Sequence, residues 1–324
     1  MVQSVMVGRT GGPEVLELRD SEQREPGPGE LLVDVEAAGV NFIDVYQREG
    51  RYPMDLPFVA GCEGAGTVRA VGPDVDLRPG ARVAWAMVNG TGYTQRAVVP
   101  ADRVVPVPDG VTTEQAAAVL LQGVTAQFLC TSTCPVQAGD QVLVHAAAGG
   151  VGLLLTQMAA GRGARVIGTV STDEKARLAR AAGAVQVVRY DHEDVVERVR
   201  ELTGGRGVRV VYDGVGQATF DASLACLAPL GTLALFGASS GAVPPVDPMR
   251  LAQGGSLFLT RPTLATYVAD RPGFLERAAD VFEQVRSGAL DVRIGGRYPL
   301  ADASRAHADL EARRTSGKSL IIPA

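Results

Sequence analysis

The run QVLVHAAAGGVGLLLTQMAAG (141–161) passes from an apolar strand to a helix through a glycine-rich turn. This context is typical of a dinucleotide-binding loop, because glycines let a pyrophosphate approach the backbone and a helix N-terminus offers it unpaired N–H groups. Gly149 and Gly150 permit the tight turn, and Gly152 allows the helix to pack closely on the strand. Ala147 stands where many such loops have their first glycine. A tight strand–helix turn that binds nothing is therefore the alternative.

From this turn onward, apolar strands and amphipathic helical segments alternate, which predicts an α/β fold with a doubly wound parallel sheet. The predicted strands after the turn are RVIGTV (165–170), VQVVRY (185–190), VRVVYDGVG (208–216), GTLALFGAS (231–239) and SLFLTRP (256–262). The predicted helices between them are TDEKARLARAAG (172–183) and DHEDVVERVRELTGG (191–205).

The two ends of the chain have a different pattern. Short strands separated by Pro and Gly clusters precede residue 112 and predict a barrel-like β domain; they are ELLVDVEAAGV (30–40), GAGTVRAVG (64–72) and ARVAWAMV (81–88). A helix with Thr112 or Thr113 as N-cap follows. After residue 263 come two helices and two strands, ending in KSLIIP (318–323). We expect a first β-rich part at 1–123, a nucleotide-binding domain at 124–262, and a return segment at 263–324 that completes the first part.

Length and charge narrow the function classes. A chain of 324 residues is longer than a domain with a single hydrophobic core usually is, so two domains are expected. Its net charge of −5 argues against nucleic acid as a partner. No continuous apolar run reaches the roughly 18 residues of a membrane span, and the N-terminus has no signal core. We therefore expect a cytoplasmic protein without a membrane partner.

The segment GTVSTDEK (168–175) bears on which dinucleotide binds. A site that prefers NAD usually has an acidic residue at the tip of the second strand, where this chain has Val170 and Ser171. Asp173 and Glu174 come slightly later, at positions that the first turn of a helix explains equally well. Lys175 follows Ser171 by one helical turn and favours the 2′-phosphate of NADPH. A solvated helix charge is the alternative for Lys175.

The longer stretch GDQVLVHAAAGGVGLLLTQ (139–157) resembles the signature of the quinone oxidoreductase and ζ-crystallin group, a zinc-free branch of the medium-chain dehydrogenases/reductases. The resemblance continues through GGPEVLEL, AGVNFIDVYQREGRYP, GVTAQFLC, FGASSGAV and AHADLEARRTSGKSLIIP, so it covers nearly the whole chain. Two positions depart from the group: Ala160, where a basic residue is usual, and Ala238, where close relatives have Asn.

The resemblance implies a GroES-like catalytic domain built from both chain ends, a Rossmann domain inserted between them, and NADPH as cofactor. It also implies a homodimer joined through the edge strand SLFLTRP. The implied catalytic residues are Asn41, Tyr46 and Tyr52. The implied cofactor contacts are Asn41, Phe42, Asp44, Tyr46, Thr125, Phe128, Gly149, Gly150, Val151, Ser171, Lys175, Tyr190, Val215, Phe236, Gly237, Ala238, Ser239, Ser240 and Arg313. Of these, the resemblance implies that Ser171, Lys175, Tyr190 and Arg313 surround the adenosine 2′-phosphate.

A catalytic metal is not expected. Zinc-dependent relatives have a cysteine where this chain has Asn41 and a histidine where it has Cys62. Cys62 and Glu63 alone do not supply three ligands for zinc. We interpret Cys62 as a small, partly buried thiol, with a redox or weak metal role as the alternative. For Asn41 the alternative is a helix cap, and for Tyr52 it is plain packing.

The three histidines are not assigned to catalysis. His145 follows an apolar strand, which predicts a core histidine hydrogen-bonded to backbone. His192 and His307 lie in polar helical segments and are expected to be solvated.

These observations favour an NADPH-dependent quinone oxidoreductase acting on a small-molecule quinone or another electrophilic acceptor. An acceptor reduced without a metal must stabilise its own product, as quinones and α,β-unsaturated carbonyls do. An enone or enoyl-thioester reductase is one alternative. A non-catalytic sensor or RNA-binding protein that holds NADPH is another, since a fold does not determine a function.

Overall fold

The computed structural model describes residues 1–323, which divide into two compact units. Unit 1 comprises Met1–Leu121 and the chain from Val268 onward, and unit 2 comprises Gln122–Tyr267. The domain boundaries expected after residues 123 and 262 stay predictions.

Unit 1 is rich in β-structure. Its strands are β1 Val2–Val7, β2 Leu16–Ser21, β3 Glu30–Val40, β4 Phe58–Val59, β5 Glu63–Val71, β6 Arg82–Ala86, β7 Arg96–Pro100, β8 Val104–Pro106, β15 Ile294–Pro299 and β16 Lys318–Ile322. Its helices are α1 Phe42–Arg48, α9 Arg271–Arg286 and α10 Ala303–Glu311, and α2 Thr113–Phe128 begins in it.

Two sheets organise this unit. Strands β2, β1 and β4 form a small sheet, while the larger one has the order β15-β16-β3-β5-β6-β8, with β7 also paired to β3. The C-terminal strand β16 pairs antiparallel with β3, placing Leu320 opposite Gly39. Apolar side chains of these strands pack around the fully buried Trp85, whose Nε1 donates to Thr91 Oγ1 at 2.8 Å.

Unit 2 contains a six-stranded sheet in which every paired strand runs parallel. Its strands are β9 Gln141–Val144, β10 Arg165–Val170, β11 Gln186–Arg189, β12 Val208–Asp213, β13 Leu227–Leu235 and β14 Phe258–Thr260. Its helices are α3 Gly150–Gly161, α4 Asp173–Ala181, α5 Val195–Leu202, α6 Phe220–Cys226, α7 Met249–Gln253 and α8 Leu264–Tyr267. The order β11-β10-β9-β12-β13-β14 is that of a Rossmann sheet, which confirms the predicted fold class.

Helix α2 begins as the sequence predicts. Thr112 is its N-cap, because Thr112 Oγ1 accepts from Gln115 N–H at 3.1 Å and Gln115 Oε1 accepts from Thr112 N–H at 2.9 Å. The helix continues with a wider π-turn at Leu129–Thr133. By length and composition alone, the stretch Thr113–Thr133 would be able to cross a membrane, but 72% of an apolar 18-residue window within it is buried inside the protein, as in a core helix.

Gly64 provides a test of packing in unit 1. It lies opposite Trp85 on the neighbouring strand, and a Cβ there would be 2.6 Å from the indole Cζ2. Gly64→Ala should therefore lower the free energy of unfolding by about 1–3 kcal/mol. Gly8→Ala is the matched control, since a Cβ at Gly8 meets nothing within 4 Å. Equal urea midpoints for the two variants would contradict this packing.

Candidate active site

The glycine turn of unit 2 has the geometry of an anion-binding loop. Helix α3 begins after Gly149, and within residues 1–323 no side chain caps its first turn. A Cβ at Gly150 would overlap the side-chain amide of Gln122, and a Cβ at Gly152 would overlap the carbonyl oxygen of Ala146. The backbone overlap at Gly152 therefore requires glycine, whereas a side chain at position 150 would require only that Gln122 move. The first-turn N–H groups and the small side chains fit a pyrophosphate.

The tips of β10 and β11 place three of the predicted 2′-phosphate residues in the same unit. Ser171 follows β10, Tyr190 follows β11, and the two strands pair in parallel. Thr172 caps α4 by accepting from Lys175 N–H at 3.2 Å, so Lys175 lies in the first turn. Asp173 forms an ion pair with Arg189. This ion pair accounts for an acidic residue at position 173, so Asp173 does not need to be explained by a bond to a ribose hydroxyl.

Asp213 ties the loop after β12 to neighbouring segments. Its Oδ1 accepts from Val215 N–H at 2.8 Å and Gly216 N–H at 3.0 Å. Its Oδ2 accepts from the hydroxyls of Thr219 and Ser223, each at 2.7 Å. The buried carboxylate thus has a partner for each lone-pair direction, and it holds Val215 in one conformation.

The loop after β13 is joined to the same segment. Phe236 N–H donates to Asp213 O at 2.8 Å, and Ser240 Oγ donates to Val215 O at 2.8 Å. A Cβ at Gly237 would overlap the carbonyl of Gly214, so the two loops need glycine where they meet. The predicted contacts in the range 236–240 are all half-buried, and so is Val215.

His145 belongs to this scaffold, but its ring does not bond to backbone as predicted. Nδ1 lies 3.0 Å from Thr169 Oγ1, and Nε2 lies 3.0 Å from Ser223 Oγ. Because Ser223 donates its proton to Asp213, it must accept from His145 Nε2–H, and Thr169 must donate to Nδ1. Burial lowers the pKa of His145, which keeps the ring neutral.

Two further predicted contacts lie along helix α2 and are buried. Thr125 is buried, and Phe128 stacks on Tyr267 with the ring centroids 4.0 Å apart and the planes 5° from parallel. Tyr267 Oη accepts from Thr133 Oγ1 at 2.8 Å. The Phe128 ring is therefore buried, with one face covered by Tyr267.

In unit 1, Asn41 occupies the N-cap position of α1. Its N–H donates to Asp44 Oδ2 at 2.9 Å, so the helix-cap alternative describes its backbone correctly. Its side chain is also engaged: Nδ2 donates to Glu63 Oε2 at 2.8 Å and to Gly39 O at 3.3 Å, and Oδ1 accepts from Lys318 Nζ at 2.7 Å. The amide of Asn41 is thus held by protein groups.

This donor set does not fit a zinc ion. Lys318 Nζ lies 2.7 Å from Glu63 Oε2, so an ammonium already neutralises the buried carboxylate. Cys62 is fully buried rather than partly, and burial raises the pKa of its thiol well above its ordinary value. The thiolate that zinc prefers is thereby disfavoured. The residues around Asn41 thus form an ion-pair cluster and not a zinc site.

A second buried chain connects α1 to α10. Arg48 Nη1 donates to His307 Nδ1 at 3.2 Å, His307 Nε2 lies 3.0 Å from Tyr93 Oη, and Tyr93 Oη donates to Asp44 Oδ2 at 3.1 Å. His307 is fully buried, so the prediction of a solvated side chain was wrong. Burial and the Arg48 charge lower the pKa of His307 to about 3, while burial raises the pKa of Asp44 to about 6.

The aromatic residues of α1 form a small cluster. The Tyr46 ring lies 5.3 Å from the Tyr52 ring, edge to face, and 6.1 Å from Phe42. Tyr46 is largely buried, whereas Tyr52 is 42% exposed.

Arg313, also in unit 1, is exposed and adopts a positive φ of 56° just after α10. His192, predicted to be solvated, is exposed.

Comparisons with known proteins agree with this architecture. Two family models match: "Alcohol dehydrogenase GroES-like domain" over residues 27–109 and "Zinc-binding dehydrogenase" over residues 150–274. The quinone oxidoreductase of Pseudomonas aeruginosa is 47% identical over 326 residues, covering 100% of both chains.

Solved structures extend the comparison. A mycobacterial protein complexed with NADPH is 55% identical, with a TM-score of 0.96 and 100% of both chains covered. Escherichia coli quinone oxidoreductase complexed with NADPH is 43% identical, with a TM-score of 0.95, covering 99% of this chain and 100% of that one.

Gly152→Ala tests the dinucleotide loop. The added methyl would push α3 away from Ala146, so both the stability of unit 2 and its affinity for NADPH should fall, the former by about 1–3 kcal/mol. Gly161→Ala, at the other end of the same helix, is the control because a Cβ there meets nothing within 4 Å. Fluorescence titration with NADPH would measure the affinities. Wild-type affinity for NADPH in both variants would argue against NADPH binding at this loop.

His307 gives a pH prediction. Its folded pKa, about 3, lies below the ordinary 6.5, so the stability from the neutral ring is present above pH 6.5 and is lost as pH falls. Asp44 acts oppositely: its raised pKa contributes stability that is lost as pH rises towards about 6. His307→Gln removes only the first contribution. As the pH falls from 6 to 4, the unfolding free energy of the wild type should decrease relative to that of the variant, by up to about 1.4 kcal/mol per pH unit. Parallel curves of unfolding free energy against pH, measured by urea denaturation, would contradict this.

Proposed function

This chain belongs to the quinone oxidoreductase family of the medium-chain dehydrogenases/reductases, and on that premise we propose that it transfers reducing equivalents from NADPH to quinones. The observation that carries the proposal is 47% identity to a quinone oxidoreductase over the full length of both chains. The Rossmann unit with its anion-binding turn supports the part of the proposal that concerns NADPH.

The proposed NADPH contacts extend from the glycine turn to the loops beside it. The first turn of α3 would bind the pyrophosphate, with Ser171, Lys175 and Tyr190 around the 2′-phosphate. Bound NADPH supplies the reducing equivalents from its nicotinamide ring. The other proposed contacts are Asn41, Phe42, Asp44, Tyr46, Thr125, Phe128, Gly149, Gly150, Val151, Val215, Phe236, Gly237, Ala238, Ser239, Ser240 and Arg313.

On the acceptor side we assign Tyr46 and Tyr52 as hydrogen-bond donors to the quinone oxygen. Such donors stabilise the negative charge that develops on that oxygen as the quinone is reduced. Asn41 contributes differently, because both of its side-chain polar atoms are bonded to Glu63, Gly39 and Lys318. Its proposed catalytic role is therefore to hold the start of α1, which carries Tyr46.

We further propose a cytoplasmic homodimer without a nucleic-acid or membrane partner. Strand β14 ends the six-stranded sheet and exposes Phe258, and Leu230 on the neighbouring strand β13 is also exposed. An apolar, unpaired sheet edge favours association with a second copy. The acidic net charge of −5 disfavours nucleic acid.

An acceptor comparison tests the function. The protein is mixed with NADPH and either 9,10-phenanthrenequinone, 1,4-benzoquinone or an enone, and NADPH oxidation is followed by stopped-flow absorbance. The proposal predicts rapid oxidation with the quinones. Brisk turnover of the enone with none of the quinones would identify an enone reductase, and tight NADPH binding with no turnover would identify a non-catalytic protein.

Lys175→Ala tests cofactor choice. Removing the ammonium should weaken the binding of NADPH by about 10- to 100-fold, because a charge-assisted bond to the 2′-phosphate is lost. The affinity for NADH should be nearly unchanged. Arg177→Ala, an exposed cation on the same helix, is the control. Dissociation constants from cofactor fluorescence measure both. Equal losses for NADPH and NADH would refute the assignment of Lys175.

A further inference from the structure

Glu63 and Lys318 form an ion pair that has almost no contact with water. Their side chains are 0% and 2% exposed, and the charged atoms are 2.7 Å apart. Glu63 lies on β5 and Lys318 on β16, the two strands that flank β3 in the sheet. They meet over Gly39 of β3, where a Cβ would overlap the Glu63 carboxylate and lie 2.6 Å from Lys318 Nζ. A glycine on the central strand therefore makes room for the pair.

The choice of lysine at this position is informative. Of the 31 basic side chains in the chain, only Lys175 and Lys318 are lysines, and the others are arginines. A compact ammonium can donate at once to Glu63 and Asn41 in this confined space. A planar guanidinium is larger and donates in a fixed fork, so it would not make the same contacts over Gly39.

The pair determines how the amide of Asn41 is oriented. An ammonium only donates, so Asn41 Oδ1 must face Lys318. An ionised carboxylate only accepts, so Asn41 Nδ2 must face Glu63. Exchanging the oxygen and nitrogen of the amide would set donor against donor and acceptor against acceptor. The other carboxylate oxygen of Glu63 accepts from Leu121 N–H at 2.8 Å, which holds the carboxylate itself.

We propose that Lys318 and Glu63 are positioning residues for the acceptor site, acting through Asn41 on the start of helix α1. Asn41 is the N-cap of that helix and donates its N–H to Asp44, and Tyr46 lies one turn further on. This inference rests on the proposed function for the role of Tyr46. The geometry of the cluster does not depend on it.

The first test uses the small number of asparagines in the chain. Asn41 and Asn89 are the only asparagines in the chain, so selective ¹⁵N-asparagine labelling yields two side-chain amides, assigned by Asn41→Ala. The Asn41 amide protons should exchange with water at least about tenfold more slowly than those of the exposed Asn89. Equal exchange would overturn the proposal whether or not the protein reduces quinones.

The second test is a double-mutant cycle. The variant Glu63→Gln/Lys318→Met removes both charges together, which avoids leaving one buried charge unpaired. It should lower kcat for 9,10-phenanthrenequinone, measured at saturating NADPH, by about 10-fold through misplacement of α1. In the Asn41→Ala background the same pair of changes should alter kcat by less than about twofold.

Glu114→Gln/Arg297→Met is the matched control, since it removes an exposed ion pair of 2.6 Å in the same unit. It should retain wild-type kcat. Full kcat in Glu63→Gln/Lys318→Met, or equal losses with and without Asn41, would overturn the proposal. If the charge-free variant does not fold, the amide-exchange measurement on the wild-type protein decides. A wild-type protein that reduces no quinone would instead refute the proposed function.

Discussion

The buried contact between Glu63 and Lys318 joins three distant parts of the chain, because Asn41 completes it. Taking two charges out of water costs most of what their attraction returns, so such a pair contributes little net stability. Removing one partner alone leaves an unpaired charge, which costs about 3–5 kcal/mol. The pair therefore acts as a strong constraint on which segments can meet: β16 must lie beside β3 for Lys318 to reach Glu63.

Each unit also contains a neutral histidine in a chain of hydrogen bonds that ends on a carboxylate. In unit 1 the bonds run from Arg48 through His307 and Tyr93 to Asp44, and the direction follows because Arg48 can only donate. In unit 2 they run from Thr169 through His145 and Ser223 to Asp213. Both carboxylates in turn accept backbone N–H groups of the proposed site, from Asn41 and from Val215. The histidines are thus scaffold groups, and their low pKa values follow from burial.

Local patterns in the sequence were sufficient for the strands and the longer helices of the Rossmann unit. The glycine turn, the cap at Thr112 and the alternation of strands and helices each depend on residues within one element. Helix α6 was missed because its short segment has no helical stripe long enough to recognise. His307 was predicted to be solvated because polar residues surround it in sequence, whereas the partners that bury it are more than 200 positions away.

The same reason explains what was missed at the site. Asn41 and Tyr46 were identified through a resemblance, but Lys318, 277 positions from Asn41, carries no local signal of its role. The sequence did contain one indirect sign, namely that only two lysines occur in a chain dominated by arginine. One of them is proposed to bind the cofactor phosphate, and the other holds the amide of Asn41.

A crystal structure with NADPH bound would test the account most directly. We predict the pyrophosphate at the first turn of α3, the 2′-phosphate beside Lys175, and the Asn41 amide still bonded to Glu63 and Lys318. An NADPH molecule bound away from that turn, or an Asn41 side chain turned from the ion pair towards the nicotinamide, would contradict it.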